Sequence, residues 1–248
     1  MNFSKRNFVI FSLILLLVTP TIGVLAQQEG SSQQSTQQKQ PTVVATVNGS
    51  DITRQELSQN TQVYPIIMTL SRQFRSFAQF LMTSEAGSEF LREYRKYVLD
   101  QLIEQELQKQ KMEEMDIEVS QEDVQEQIDT IIQNNDQFED EASLKEYLKE
   151  NQNMSIENLK SRIKESLRQQ ELRAEVTDEV QVSEEEITSF YEENKQNYKD
   201  QEGNVKPLED VKEQIEGTLK SQKSSEAWSE WLQNAKENAE IEKNLENI

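Results

Sequence analysis

A chain of 248 residues with 46 acidic and 26 basic side chains, no His and no Cys excludes much ordinary enzymology. Without Cys there is no disulfide, thiolate nucleophile or Cys-based metal centre, and without His there is no imidazole base and no usual transition-metal ligand, so neither a metal nor a cofactor is expected. A net charge of −20 argues against nucleic acid as a partner, because that binding relies on Lys and Arg neutralising phosphates, and 34% hydrophobic residues is lean for one compact core and points to an extended helical design.

In chain order, Lys5 and Arg6 precede an apolar run from Phe8 to Val18, followed by Pro20, Gly23 and Val24-Leu25-Ala26. This is the layout of a secretory signal peptide over residues 1–26, cleaved after Ala26; a retained apolar segment is the alternative and the one route to a membrane. Residues 27–42, rich in Gln and Ser, have nothing to bury and read as a disordered linker. Val43–Val47 (VVATV) is a short strand leading to the turn dipeptide Asn48-Gly49, and Thr53 with Glu56 forms a capping box. Between Pro65 and Pro207 there is no proline, and Gly87 and Gly203 are the only glycines, so this stretch is predicted to be almost wholly helical.

The first helix is predicted from Arg54 to about Met82, bent near Pro65, with Ile67, Leu70, Phe74, Phe77 and Leu81 along one stripe. A second follows from about Ser88 to Met115. Ser120 caps a third with Asp123, a fourth covers about Ser143–Glu150, Ser155 opens a fifth, and Ser183 with Glu186 makes a further capping box. After the polar break 199–206, Pro207 starts a last helix, and Ala239–Glu242 alternates like a strand.

Four ordered segments carry a resemblance: Val44–Gly49 with Ile52-Thr53 and Glu56-Leu57; Leu99–Ile103 with Glu106-Leu107; Ile117–Ser120 with Val124; and Val182–Ile187 with Tyr191 and Asn194. Together they resemble the SurA/PrsA family of exported chaperones over about residues 43–242. The resemblance implies a mainly α fold, a multi-helix chaperone module of SurA N-terminal/trigger-factor-like type, with a small two-stranded β pairing between Val43–Val47 and Ala239–Glu242. It implies a helical domain over 43–198, completed by the helix and strand of 207–242, with 243–248 as a tail. Relatives carry a parvulin-type prolyl isomerase domain between the last two helices. Here only residues 199–206 fill that place, and a core needs on the order of 50 residues. The resemblance therefore implies a chaperone that lacks the isomerase domain and is not an enzyme. The Cys that anchors PrsA-type relatives to lipid is also absent.

The implied partners are unfolded or nascent exported polypeptides, bound without ATP. The segment Tyr64–Met82 is the candidate client surface through Tyr64, Ile67, Met68, Phe74, Phe77, Phe80, Leu81 and Met82, where thioether and aromatic contacts tolerate many sequences. Trp228 and Trp231 are candidates for the same cradle. The competing reading buries the stripe as a helix seam and uses both tryptophans to pack the last helix. The clusters Glu104/Glu106, Glu113/Glu114, Glu139–Glu141 and Glu184–Glu186 read as solvated helix faces, since catalytic carboxylates need a desolvated cleft and no calcium-loop motif is present. Two other functions stay open: a secreted structural or adaptor protein with one dedicated partner, for which a homodimer is one arrangement, and a peptidyl-prolyl isomerase. An exported, periplasmic or cell-envelope location follows from the leader.

Overall fold

A computed structural model describes residues 41–248. The expected signal peptide and nearly all of the expected linker lie outside the described residues. Two compact units emerge: residues 118–168, and residues 41–117 together with 169–248.

The larger unit is organised on a three-stranded antiparallel sheet, β1 (Val43–Val47), β2 (Ser50–Thr53) and β3 (Ile241–Lys243), in the order β2-β1-β3. Asn48 (φ 49°) and Gly49 (φ 86°) make the tight turn between β1 and β2, as an Asn-Gly dipeptide between apolar runs favours. Asn48 also fastens the far end of the chain. Its backbone N–H donates to the Glu240 carbonyl at 2.8 Å, its Oδ1 accepts from the Glu240 N–H at 2.8 Å, and its Nδ2 donates to Gln110 Oε1 at 2.8 Å. β1 is the central strand, pairing Ala45 with Lys243, Thr46 with Glu242 and Val47 with Ile241.

The pairing between the two ends of the module is as expected, but β2 makes the sheet three-stranded. Residues 50–53 look like a helix lead-in because the Thr53 cap follows at once, and that cap hides a short strand. β3 also runs to Lys243. Beyond it Asn247 donates to the Val43 carbonyl at 2.9 Å and Ile248 packs on the core, so residues 243–248 are tied to the sheet.

Above the sheet runs α4 (Glu85–Glu114), which sets Leu99, Leu102, Ile103 and Leu107 against Val44, Ala45, Val47, Ile52 and Leu57. Helix α8 (Glu184–Asn194) pairs with α9 (Leu208–Asn238) through Ile187, Val211 and Ile215. The Ser183/Glu186 capping box forms as predicted. Lys223, then the Ser183 backbone N–H and hydroxyl, hold the Glu186 carboxyl down at about 2. Between these helices the 199–206 segment is a closed turn. Lys199 bridges Val205, Asp200 Oδ1 accepts from the N–H groups of Glu202 and Asn204 at 2.9 Å each, and Gly203 takes φ 87°.

The smaller unit contains α5 (Gln121–Gln133), α6 (Glu141–Gln152) and the first part of α7 (Ile156–Val176). Each of the first two opens with a capping box, Ser120/Asp123 and Asp140/Ser143. Their inward faces form one core: Val124, Ile128, Leu144, Leu148, Met154, Ile156, Leu159 and Ile163. Lys160 joins Glu141 at 2.7 Å, and Gln125 donates to the same carboxylate at 3.0 Å. The Glu139–Glu141 cluster thus serves as a helix cap and an ion pair.

The long first helix expected from Arg54 to Met82 is three helices: α1 (Arg54–Thr61), α2 (Val63–Gln73) and α3 (Arg75–Thr83). The break is not at Pro65, which sits in the first turn of α2, where its missing N–H has no helical partner to lose. The chain turns at Gln62, in the left-handed region (φ 47°), and at Phe74 (φ −133°, ψ 59°).

Candidate functional site

Helices α2 and α3 form an arm with an inner and an outer face. Ile67, Ala78 and Leu81 are buried, whereas Tyr64, Ile66, Met68, Phe74, Phe77, Phe80 and Met82 are exposed, Tyr64 to 75%, Met82 to 63% and Phe74 to 60%. Phe77 and Phe80 stack with ring centroids 6.5 Å apart. Monomeric proteins seldom leave so much contiguous aromatic and aliphatic surface in water.

The backbone beneath this surface is held tightly. The Ser84 hydroxyl donates to the Phe80 carbonyl at 2.7 Å and accepts from the Gly87 N–H at 2.9 Å, ending α3 and starting α4. A Cβ on Gly87 would fall 2.5 Å from the Phe80 carbonyl oxygen and 2.6 Å from the Leu81 Cα, so α3 and α4 touch backbone to backbone. Tyr94 of α4 donates to the Thr61 carbonyl at 3.1 Å, fixing the end of α1 where the arm departs. These constraints hold the exposed aromatics out rather than letting them fold inward.

Of the expected client residues in Tyr64–Met82, six lie on the outer face (Tyr64, Met68, Phe74, Phe77, Phe80 and Met82), and Ile67 and Leu81 form the inner seam. The stripe is therefore exposed on one face and buried on the other. Sequence reasoning missed Phe90 (59% exposed) and Tyr97 (62% exposed) on α4. Their signal was available: both fall off the Leu91/Tyr94/Val98 stripe that faces inward.

Trp228 and Trp231 belong to a packing cluster that includes none of the arm's residues. Half-buried, they pack on Met112, Ile117 and Leu172 and stack on each other at 4.8 Å, with the Arg173 guanidinium 5.5 Å from the Trp228 ring. Beside them is a groove of about 370 Å³, lined by Trp231, Leu107, Gln110, Asn234 and Asn238 among others. The acidic pairs on these helices are engaged in ion pairs, Glu104 with Lys236 and Glu184 with Lys212 at 2.6 Å. Among the described residues no cluster suited to a metal ion occurs, and no helix is long and apolar enough to cross a membrane.

A helical module closed by a sheet that joins its two ends defines the class. The family profile described as SurA-like N-terminal domain matches residues 1–173, and the chain belongs to that family. A second profile, described as PPIC-type PPIASE domain, matches residues 182–247. Foldase protein PrsA from Clostridium botulinum strain 657 is 25% identical over 162 residues, which is 63% of this chain and 46% of that protein; PrsA of strain Okra matches to the same extent. The chain thus spans about half the length of the curated relatives it matches. A solved structure from work on PEB4 and the periplasmic protein Cj1289, described as SurA-like chaperones of Campylobacter jejuni, aligns with a TM-score of 0.59 at 12% identity. It covers 81% of this chain and 98% of that one, a likeness of fold.

Two expectations are corrected by these matches. The parvulin-type domain is not lacking, because residues 182–247 match the PPIC-type profile, and the conclusion that the chain is not an enzyme falls with it. The sequence reading expects the domain as an insertion at 199–206. The match lies instead across α8, the closed turn, α9 and β3, elements that reading had assigned to the chaperone module.

Proposed function

We propose that this chain is an exported foldase-type chaperone that holds unfolded or newly translocated polypeptides on the outer face of α2–α3 without ATP and acts as a peptidyl-prolyl isomerase. The observation that carries the holding role is the exposed row Tyr64, Met68, Phe74, Phe77, Phe80 and Met82 on a backbone clamped at Gly87. Burying one such side chain against a client contributes roughly 1.5–3 kcal/mol. Several partial contacts of that size give capture that remains reversible. Export is supported by the leader pattern of residues 1–26.

The isomerase role rests on the PPIC-type match and the PrsA foldase relatives. Rotation about a prolyl amide faces a barrier of about 18–20 kcal/mol. It breaks no covalent bond and transfers no proton, so a chain without His is not barred from it. Desolvating the amide and gripping the proline ring suffice in principle. The groove beside Trp231, one wall of which comes from the matched residues and the other from Asn48 and α4, pairs an aromatic wall with the side-chain amides of Asn234 and Asn238, which suits that task.

Two assays test the two roles. The mature protein should suppress aggregation of a reduced, unfolded client at near-stoichiometric ratio, and the combined Phe74→Ser, Phe77→Ser, Phe80→Ser variant should not. A protease-coupled proline-peptide assay should show catalysis that Trp231→Ala weakens; no catalysis with a folded sample would remove the isomerase role and leave the holding role standing.

A further inference from the structure

The arm is charged differently from the rest of the protein. Residues 57–84 contain no acidic side chain and two basic ones, Arg72 and Arg75. Extended to Tyr97, to include the exposed aromatics of α4, the stretch holds five basic and three acidic residues, whereas 98–248 holds 17 basic and 40 acidic. Two of those three carboxylates are occupied locally, Glu89 by Arg92 at 2.5 Å and Glu93 by Lys96 at 2.6 Å. Arg72 and Arg75 are exposed and have no acidic partner among the described residues. They flank the exposed Phe74, at the break between α2 and α3.

Placing two unpaired guanidinium groups inside an apolar surface has a cost if the occupant is itself basic, because like charges would be brought together as water is excluded. It favours an occupant whose apolar residues are interspersed with Asp or Glu, which can accept from the Arg fork. The surplus of acid elsewhere works against acidic chains at long range, and it also repels them from residues 98–248, so an acidic segment that does bind is confined to the arm. Resting on the chaperone reading, we propose that Arg72 and Arg75 set the client class: the arm selects unfolded segments that are aromatic or aliphatic and acidic, and discriminates against basic ones of equal apolar content.

The test uses two fluorescently labelled, unstructured peptides with the same Phe- and Leu-containing centre, flanked by glutamates in one and lysines in the other. Binding to the full mature protein is read by anisotropy. The wild type should bind the glutamate peptide tighter by about fivefold, the scale expected of two exposed charge pairs, with the preference fading at ~0.5 M salt. Arg72→Glu with Arg75→Glu should reverse the order while retaining affinity for a third peptide with uncharged flanks, which shows that the arm remains folded. Equal affinity for both charged peptides, or tighter binding of the lysine peptide by the wild type, overturns the proposal while leaving the chaperone reading intact. Failure to bind any of the three peptides removes that reading itself. Wild-type binding to vesicles containing phosphatidylglycerol, without discrimination between the peptides, would assign the basic arm to an anionic lipid surface instead.

Discussion

Helices α2–α3 and helices α5–α7 follow the same sequence rule and use it in opposite ways. In residues 118–168, Val124 and Ile128 on α5, Leu144 and Leu148 on α6, and Leu159 and Ile163 on α7 point inward and close a core, with Ile128 and Leu148 at most 1% exposed. In α2–α3 the inner face takes only Ile67, Ala78 and Leu81, and the larger aromatics stand outside. Apolar periodicity therefore locates a helix face without saying what covers it. The surplus does: consecutive apolar residues such as Ile66-Ile67-Met68 and Phe80-Leu81-Met82 cannot all be buried by one neighbouring helix.

Substitutions that test this contrast fall in order of size. Leu148→Ala should cost about 2–5 kcal/mol, because a fully buried Leu leaves a cavity, and chemical denaturation followed by circular dichroism should register it. Gly87→Ala should cost less, roughly 1–3 kcal/mol, since the methyl meets the backbone of Phe80 and Leu81 and forces α3 away from α4. Its signature is faster amide exchange across residues 75–83. Phe77→Ser should change stability by less than about 0.5 kcal/mol, as suits an exposed position, yet weaken client capture measurably. If instead it unfolds the protein as Leu148→Ala does, the arm is core and the contrast collapses.

The smallest effect is electrostatic. Glu186 is held at about 2, against an ordinary value of 4.5, chiefly by Lys223. Its depressed value means that its contribution is complete above pH 4.5 and is lost as the pH falls toward 2. Thermal melts of the wild type and of Lys223→Met should therefore differ near neutrality and converge as the pH falls through that window. A difference that persists unchanged at pH 2 would assign the effect of Lys223 to packing.

Much of the frame was legible because its signals are local. Ser120/Asp123 and Ser183/Glu186 are capping boxes that need only four residues to act, and Asn48-Gly49 specifies its turn by conformational freedom alone. The helix breaks at Gln62 and Phe74 were not, since neither residue type prefers the conformation it adopts there. In the site, the outer-face aromatics were legible as excess. The packing of Trp228 and Trp231 on Met112, Ile117 and Leu172 depends on residues distant in sequence. The PPIC-type match is not legible as an insertion, because it runs across the last two helices, which the family resemblance assigns to the chaperone module.

The account turns on where an unfolded chain touches this protein. A photo-crosslinking amino acid placed at Phe77, and in a second sample at Glu150, an exposed site in residues 118–168, should be irradiated with a reduced, unfolded client and the adducts quantified. The account predicts abundant client adducts from position 77 and few from position 150, with those at 77 abolished when the client is allowed to fold first. Equal yields at the two positions, or adducts at 150 without any at 77, would contradict it.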